Sequence, residues 1–187
     1  MIDVGDYLLN VSVDGPVNGS ALMPSNSMGR TMEMWEPRVK EFAQRLRVVR
    51  YDRRGNGASG VPVGPYSIKQ LGRDVLAILD HLKPARVRWC VISIGRIVGQ
   101  WLGARAPERL DRIILSNTSS YFRDPSNCLD RINAVQSNGV PSPTAPPREA
   151  YIARYNALST LDQRALLPRN SRPTLVIAGR HDKIDPT

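Results

Sequence analysis

A serine between a short apolar run and a helical pattern is the first feature of the sequence that could do chemistry. In the stretch WCVISIGRIVGQW, the apolar run ends at Ile92, Ser93 follows, and a helical pattern begins at Ile94. In a nucleophile elbow, strand, serine and helix follow one another so tightly that the serine is held in a strained backbone conformation, with its hydroxyl projecting from the sheet edge. The order of elements around Ser93 is the one that such a nucleophile requires.

The small residues that flank a nucleophile elbow are only half present. They stand two positions before and two positions after the serine, because strand and helix approach closely there. This chain has Gly95 after Ser93 but Val91 before it, which is half of the pattern G-x-S-x-G. On these residues alone, Ser93 is either a nucleophile or the residue that caps the helix beginning at Ile94.

Two loops elsewhere in the chain favour the nucleophile. Residues 24–29, PSNSMG, follow an early apolar run and are suited to direct a backbone N–H at a developing oxyanion, with a second donor from the amide after the serine. Residues 178–182, AGRHD, follow the last apolar run and bring Asp182 to the sheet edge, where the acid of a catalytic triad belongs. The order of Ser93 and then Asp182 matches that of α/β-hydrolases.

Short apolar runs alternate with helical patterns along the chain. Strands are predicted at residues 7–13, 21–23, 47–51, 87–92, 113–115 and 174–178, and helices at residues 35–46, 68–82, 94–106 and 149–167. The helix at residues 68–82 opens with Ser67 and Gln70, which are spaced as a capping box, and it closes before Pro84. The alternation predicts an α/β fold with a mostly parallel sheet, helices on both faces, and functional loops at the carboxyl ends of the strands.

Charge and composition favour no nucleic-acid partner. The net charge of +9 comes mainly from arginines scattered along the chain, and aromatic residues make up only 6%. A nucleic-acid binder gathers its cations on one helix or run, interleaved with stacking aromatics. The nearest approach to a cluster is Arg50, Arg53 and Arg54 beside a glycine-rich loop. Scattered charge of this kind is typical of a solvated surface.

The cysteine content and the apolar runs predict a cytoplasmic protein with no membrane partner. The chain has two cysteines, Cys90 and Cys128, too few for a disulfide framework, and a reducing compartment fits them best. No apolar run approaches the roughly 20 residues that cross a bilayer. With 187 residues, of which 41% are hydrophobic, the chain is expected to form one globular domain.

Four stretches of the sequence resemble the 3-oxoadipate enol-lactonases, a family with the α/β-hydrolase fold. They read SNSMGRTMEMW, RVVRYDRRGNGASGVPVGPYSIKQLGRDVLAILD, GQWLGARAPERLDRIILSNT and PTLVIAGRHD. The resemblance implies cofactor-free hydrolysis of a small ester or lactone, namely the enol-lactone that gives 3-oxoadipate during bacterial breakdown of aromatic compounds. Carried over by position, it makes Ser93 the nucleophile and Asp182 the acid, gives the oxyanion hole to the backbone amides of Met28 and Ile94, and implies no metal.

The sequence departs from the family pattern beside the serine. Family members have glycine at the positions that Val91 and Arg96 occupy here. We expect Val91 to press on the helix that packs there and Arg96 to place a long cation beside the site. Strain of this kind costs about 1 to 3 kcal/mol, enough to misplace the hydroxyl of Ser93 without unfolding the domain.

A second departure concerns the segment that covers the site. Residues 137–147, SNGVPSPTAPP, are dense in Pro, Ser and Gly and stand where the family carries most of a helical lid. We expect one incomplete domain over residues 1–187, with residues 119–167 as a shortened lid or linker and residues 168–187 as the return strand and acid loop. Little more than residues 151–167 should then cover the substrate.

The catalytic base is the third departure. In the family it is a histidine beyond one further strand, so the resemblance implies a chain truncated at its C-terminus, without the last strand and helix. The sequence has two histidines, and the first, His81, falls near the end of a predicted helix. The second, His181, immediately precedes Asp182, and the side chains of these two neighbours should point apart. A serine without an adjacent base is a poor nucleophile.

Two hypotheses therefore remain open from the sequence. One is a serine hydrolase of carboxylic esters or lactones, impaired by the departures above, and the other is a non-catalytic, truncated hydrolase-like protein. In either case, the strand at residues 174–178 should form an open apolar edge, for which we expect self-association or poor solubility.

Overall fold

A six-stranded sheet forms the centre of the molecule, in the order β3-β5-β4-β6-β7-β8. The computed structural model describes residues 1–117, 120–121, 124–141 and 145–180. The strands are β1 (Ile2–Asp3), β2 (Leu8–Leu9), β3 (Val11–Asp14), β4 (Ser20–Ser25), β5 (Leu46–Tyr51), β6 (Val87–Ile92), β7 (Leu110–Ser116) and β8 (Thr174–Ile177). In the six-stranded sheet only the edge strand β3 is antiparallel to its neighbour, and β1 pairs with β2 in a separate antiparallel ribbon. The mostly parallel sheet predicted from the sequence is confirmed.

Five α-helices connect these strands within the described residues. They are α1 (Glu36–Phe42), α2 (Ile68–Leu82), α3 (Ile94–Arg105), α4 (Ser126–Asn138) and α5 (Arg148–Ser159), with 3-10 turns at Met32–Trp35, Pro107–Arg109 and Arg164–Arg169. The bounds of α2 are those predicted, because Ser67 Oγ accepts the Gln70 amide at 3.2 Å. The helix ends at Lys83, whose φ of 51° is left-handed.

Helices lie on both faces of the sheet, as predicted. On β5, Val49 and Tyr51 belong to the same apolar cluster as Leu71 of α2. Arg50 lies between them in sequence and therefore points to the opposite face. There its guanidinium pairs with Glu36 at the start of α1, at 2.5 Å. The alternation along one strand thus places α1 and α2 on opposite sides.

Helix α3 packs unusually close to β6 and β7. A Cβ built on Gly99 would lie 2.6 Å from Trp89 Nε1, a distance that real Cβ atoms do not show. The indole of Trp89 also donates to the Gly95 carbonyl at 3.2 Å, so one side chain of β6 holds the first turn of α3. This packing brings the start of α3 directly onto the carboxyl end of β6, where Ser93 lies.

The cap over this end of the sheet differs from the prediction. The structure has α4 at residues 126–138, for which no helix was predicted, and α4 packs against α5. The cap therefore contains two helices instead of little more than residues 151–167. The one signal for α4 is the set Cys128, Ile132 and Val135, which is buried and spaced at about one helical turn among polar residues.

Candidate active site

Ser93 sits in a strained turn between β6 and α3. Its φ of 58° and ψ of −131° place a non-glycine residue where L-amino acids are rarely found, at a cost of about 1 to 3 kcal/mol. An ordinary helix-capping residue has extended dihedrals and accepts a hydrogen bond from the first turn. Ser93 has neither feature with respect to α3, all of whose residues the structure describes. The backbone geometry is therefore that of an elbow.

Gly95 is the reason that Val91 does not prevent this turn. Val91 is buried, and a Cβ built on Gly95 would lie 3.1 Å from the Val91 Cβ and 2.9 Å from Ser25 Oγ. Because Gly95 has no side chain, the valine fits beside the helix and Ser93 keeps its positive φ. The effect of Val91 on the exact direction of the Ser93 hydroxyl stays a prediction.

Ser93 opens onto a pocket of about 270 Å³ at the carboxyl end of the sheet. Met28, in the loop after β4, and Ile94, the first residue of α3, line the same pocket. The first amides of a helix have no acceptor within that helix. The structure thus brings together three of the four residues predicted for the site. The fourth, Asp182, lies outside the described residues, as does His181.

The two cap helices form the outer wall of this pocket. Cys128 and Arg131 of α4 and Tyr155 of α5 line it, none of which the sequence analysis had assigned to the site. Burial raises the pKa of the Cys128 thiol and that of the Tyr155 hydroxyl. Both side chains are therefore uncharged near neutral pH, and a thiol in this state is a poor nucleophile.

Two arginines line the pocket. Arg96, singled out in the sequence, is buried and lines the pocket in the first turn of α3. Arg131 reaches it from the exposed side of α4. No Asp or Glu is among the described residues that line this pocket. An anionic group on a ligand would meet the charge of Arg131 at this wall.

The three arginines beside the glycine-rich loop, Arg50, Arg53 and Arg54, all bond to groups inside the protein. Arg50 pairs with Asp14 at 2.9 Å as well as with α1, and Arg54 makes two hydrogen bonds to Asp74 at 2.6 and 2.8 Å. Arg53 is buried beneath the loop that follows β4. None of the three therefore forms part of an exposed cationic cluster.

The described histidine lies at the opposite end of the sheet from Ser93. His81 is exposed in the last turn of α2, two residues before Lys83. Lys83 lines a surface cleft with Ser20, where β4 begins, whereas Ser93 follows the end of the parallel strand β6. His81 therefore cannot reach the hydroxyl of Ser93.

Strand β8 ends at the same edge of the sheet as β6. It runs parallel to β7, and the Asn117 amide donates to the Ile177 carbonyl at 2.7 Å. The Gly179 amide then donates to the Asn117 side chain at 3.2 Å. The chain therefore leaves β8 at the same edge of the sheet at which Ser93 leaves β6.

The described residues contain no metal-binding cluster and no membrane-spanning helix. Within them, no three His, Cys, Asp or Glu side chains lie close enough to hold one metal ion. The helices in this part of the chain are also too short or too polar to cross a bilayer.

Comparisons with known proteins agree with this geometry. Residues 25–146 match the family described as alpha/beta hydrolase fold. The chain is 35% identical to 3-oxoadipate enol-lactonase 2 of Acinetobacter baylyi, over 96% of this chain and 78% of that protein. Its structure also resembles the crystal structure of the enol-lactonase from Burkholderia xenovorans LB400, with a TM-score of 0.88 over 95% of this chain and 80% of the other. The two sequences are 31% identical.

A hydrolase from Pseudomonas aeruginosa PA01 is similar to the same extent. It is 33% identical, with a TM-score of 0.85 over 99% of this chain and 84% of the other. The resemblance to enol-lactonases that the sequence indicated is thus confirmed over most of the chain. Together with the parallel sheet and the strained serine turn, these similarities establish that the chain belongs to the α/β hydrolase fold family.

Proposed function

We propose that this chain is a serine hydrolase of small carboxylic esters or lactones, with an enol-lactone of the 3-oxoadipate type as its substrate. The observation that carries the proposal is the strained turn at Ser93, which opens onto the same pocket as Met28 and Ile94. Similarity to two enol-lactonases supports the choice of substrate. Arg131 on the pocket wall supports it as well, because the proposed substrate carries a carboxylate.

The proposed reaction is acyl transfer to a serine. Ser93 Oγ bonds to the lactone carbonyl carbon while its proton passes to a general base. The carbonyl oxygen gains negative charge, which the N–H groups of Met28 and Ile94 stabilise. The ring C–O bond then breaks, and the leaving enol oxygen takes the proton. Water attacks the acyl-enzyme and releases the acid, with Asp182 proposed to orient the base.

We further propose that turnover by this chain is slow. The described histidine, His81, lies at the far end of the sheet, and a serine without an adjacent base reacts slower by several powers of ten. The remaining rate would come from the oxyanion donors and from substrate binding. A non-catalytic, hydrolase-like protein is the limiting case of this impairment.

The likeness to enol-lactonases also supports a biological setting. We propose a role in the bacterial breakdown of aromatic compounds, at the step that opens the enol-lactone, and a cytoplasmic location. Both proposals depend on the substrate, so the enol-lactone itself is the ligand to test.

The test combines a covalent probe with turnover. Wild-type protein and the Ser93→Ala variant are incubated with a fluorophosphonate and with the enol-lactone, and labelling is read by mass spectrometry and ring opening by ultraviolet absorbance. We expect slow labelling and slow ring opening that both depend on Ser93. Rapid stoichiometric labelling at Ser93 would contradict the impairment. Equal rates of labelling and ring opening for the wild type and Ser93→Ala would contradict the proposed hydrolase activity.

A further inference from the structure

Arg53 is a buried cation that the proposed mechanism does not use. It follows the end of β5, and only 1% of its surface is exposed. Its guanidinium donates to the carbonyl of Asn26 at 2.5 Å and to that of Ser27 at 2.6 Å. Removing a guanidinium from water is unfavourable, so its placement against two backbone carbonyls calls for an explanation. Both carbonyls belong to the loop that carries Met28.

The geometry of the peptide bond connects Arg53 to the oxyanion hole. The Ser27 carbonyl and the Met28 N–H belong to one planar, trans peptide unit and point in opposite directions. A donor that holds the Ser27 carbonyl on one side therefore turns the Met28 N–H to the other side. That N–H is one of the two proposed oxyanion donors.

A charged donor at the Ser27 carbonyl also strengthens the N–H at the other end of the same unit. Hydrogen bonds from an ionised group are shorter and stronger than neutral ones, and the 2.6 Å contact is of this kind. Linked hydrogen bonds polarise one another in a low-dielectric interior. The guanidinium of Arg53 thus makes the Met28 amide a better donor to a negative oxygen.

Other contacts hold the neighbouring residue, and within the described residues Arg53 is the side chain that bonds to this peptide unit. The Asn26 side chain donates to the Tyr51 carbonyl at 2.9 Å and accepts from the indole of Trp35 at 3.1 Å. Among the hydrogen bonds between described residues, Arg53 provides the one from a side chain to the Ser27 carbonyl. The Arg30 amide donates to the same carbonyl at 3.3 Å as part of the turn.

We propose that Arg53 is a positioning residue that orients the Met28 amide toward the oxyanion formed at Ser93. The inference rests on the proposed function, because it assigns a role at that same site. If Arg53 only supported the fold, it would stabilise the free enzyme, the substrate complex and the transition state equally. A positioning residue instead stabilises chiefly the transition state.

The kinetic test compares two variants of Arg53 with a matched control. Arg53→Leu removes the hydrogen bonds to both carbonyls. Arg53→Lys keeps the positive charge, but a lysine ammonium lacks the planar guanidinium that holds two carbonyls in fixed geometry. Arg50→Lys is the control, because Arg50 is similarly buried nearby on β5 but bonds to Asp14 and Glu36 instead. Loss of one oxyanion donor lowers kcat about 100- to 1,000-fold, and we expect a decrease approaching this for Arg53→Leu with KM nearly unchanged.

The lysine variant and the control should behave differently from Arg53→Leu. Arg53→Lys should keep a kcat between those of the wild type and Arg53→Leu. The control Arg50→Lys should lower the thermal midpoint and leave kcat as it is in the wild type. A change in KM without a loss of kcat in the Arg53 variants would contradict the positioning role. Equal losses of kcat in the Arg53 and Arg50 variants would contradict it as well.

A spectroscopic readout keeps the inference testable even if turnover is undetectable. The chain has five methionines, so selective 15N-methionine labelling gives a simple amide spectrum, which a Met28→Leu variant assigns. In Arg53→Leu, and to a lesser degree in Arg53→Lys, the Met28 amide signal should shift.

The two failures are distinguishable by these measurements. A Met28 signal unchanged in both Arg53 variants would overturn the inference, whatever the activity. Wild-type protein with no turnover that depends on Ser93 would contradict the proposed function, while the Met28 amide still reports whether Arg53 orients it. If Arg53→Leu does not fold, Arg53→Lys decides by the same signal.

Discussion

Gly95, in the first turn of α3, lies against Ser25 at the end of β4 with no room for a side chain between them. A Cβ at Gly95 would come within 2.9 Å of Ser25 Oγ and within 3.1 Å of the Val91 Cβ. Both neighbours are buried and cannot move into solvent. The approach of the helix to the two strands therefore depends on this glycine.

We predict that Gly95→Ala destabilises the protein by about 1 to 3 kcal/mol, because overpacking here forces α3 away from the sheet. The measurement is unfolding in urea, with Ser93 labelling as the functional readout. Labelling should fall together with stability, since the displacement of α3 moves both Ser93 and Ile94. A variant as stable and as reactive as the wild type would contradict the tight packing at Gly95.

The backbone strain at Ser93 gives a second prediction, on stability alone. Ser93→Ala and Ser93→Gly both remove the hydroxyl, but only glycine occupies a φ of 58° without steric cost. We expect Ser93→Gly to be more stable than Ser93→Ala by about 1 kcal/mol, although glycine is normally the less stable of the two residues. Urea unfolding of both variants measures the difference. Greater stability of the alanine variant would show that the turn is not strained.

The buried charge of Arg154 in α5 gives a prediction on pH. The side chain is fully buried, and its Nη2 donates to the Arg54 carbonyl at 2.8 Å. Burial, and to a lesser degree the charge of Arg53, lowers the pKa of Arg154 from 12.5 to about 9. Between these values the unfolded chain binds more protons than the folded one, so the contribution of Arg154 to stability rises with pH. Below about 9, both states are charged and the buried charge is unfavourable.

We therefore expect Arg154→Met to raise the free energy of unfolding at pH 7 by about 1 to 3 kcal/mol. The gain should shrink as the pH rises above about 9. Thermal unfolding at several pH values measures both effects. Arg148→Met is the control on the same helix, because Arg148 is exposed and should change stability little. A variant less stable than the wild type at pH 7 would show that the hydrogen bond of Arg154 outweighs its desolvation.

The edge strand β8 gives a prediction on association. Leu175, Val176 and Ile177 are each about half exposed, at 55%, 55% and 47%, and β8 pairs with β7 on one side only in the described sheet. Open apolar edges pair with other chains. We expect the isolated chain to associate in sedimentation velocity and Val176→Lys to shift it toward monomer. The control Val63→Lys changes a fully exposed loop residue and should have no effect. A monomeric wild type at all concentrations would contradict this.

The parts of the fold that depend on local interactions could be predicted from the sequence. The bounds of α2 were correct because the capping hydroxyl of Ser67 and the apolar stripe of the helix act within a few residues. The bounds of β6 were also correct, since its apolar run stands out from its surroundings. The predicted strand at residues 7–13 is two short strands, because Leu8–Leu9 and Val11–Asp14 pair with different partners.

The cap and Arg53 could not be predicted in the same way. Helix α4 is rich in Asn, Ser and Asp, which have low intrinsic helix propensity, and its stability comes from packing against α5. Arg53 was noticed only as one member of a cationic cluster. Its contact with the Ser27 carbonyl joins residues 26 positions apart, and nothing in the local pattern around either residue indicates it.

The sequence by itself determined the alternation of strands and helices from β4 to β7 and the place of Ser93 between β6 and α3. These features follow from periodicity and capping, which act over one or two turns. Only the tertiary structure decided that Gly95 would accommodate Val91, that Ser93 would adopt a positive φ, and that Arg53 would hold the loop of Met28. Each of these depends on β4 lying between β5 and β6, and such pairing between distant segments is set by packing of the whole sheet.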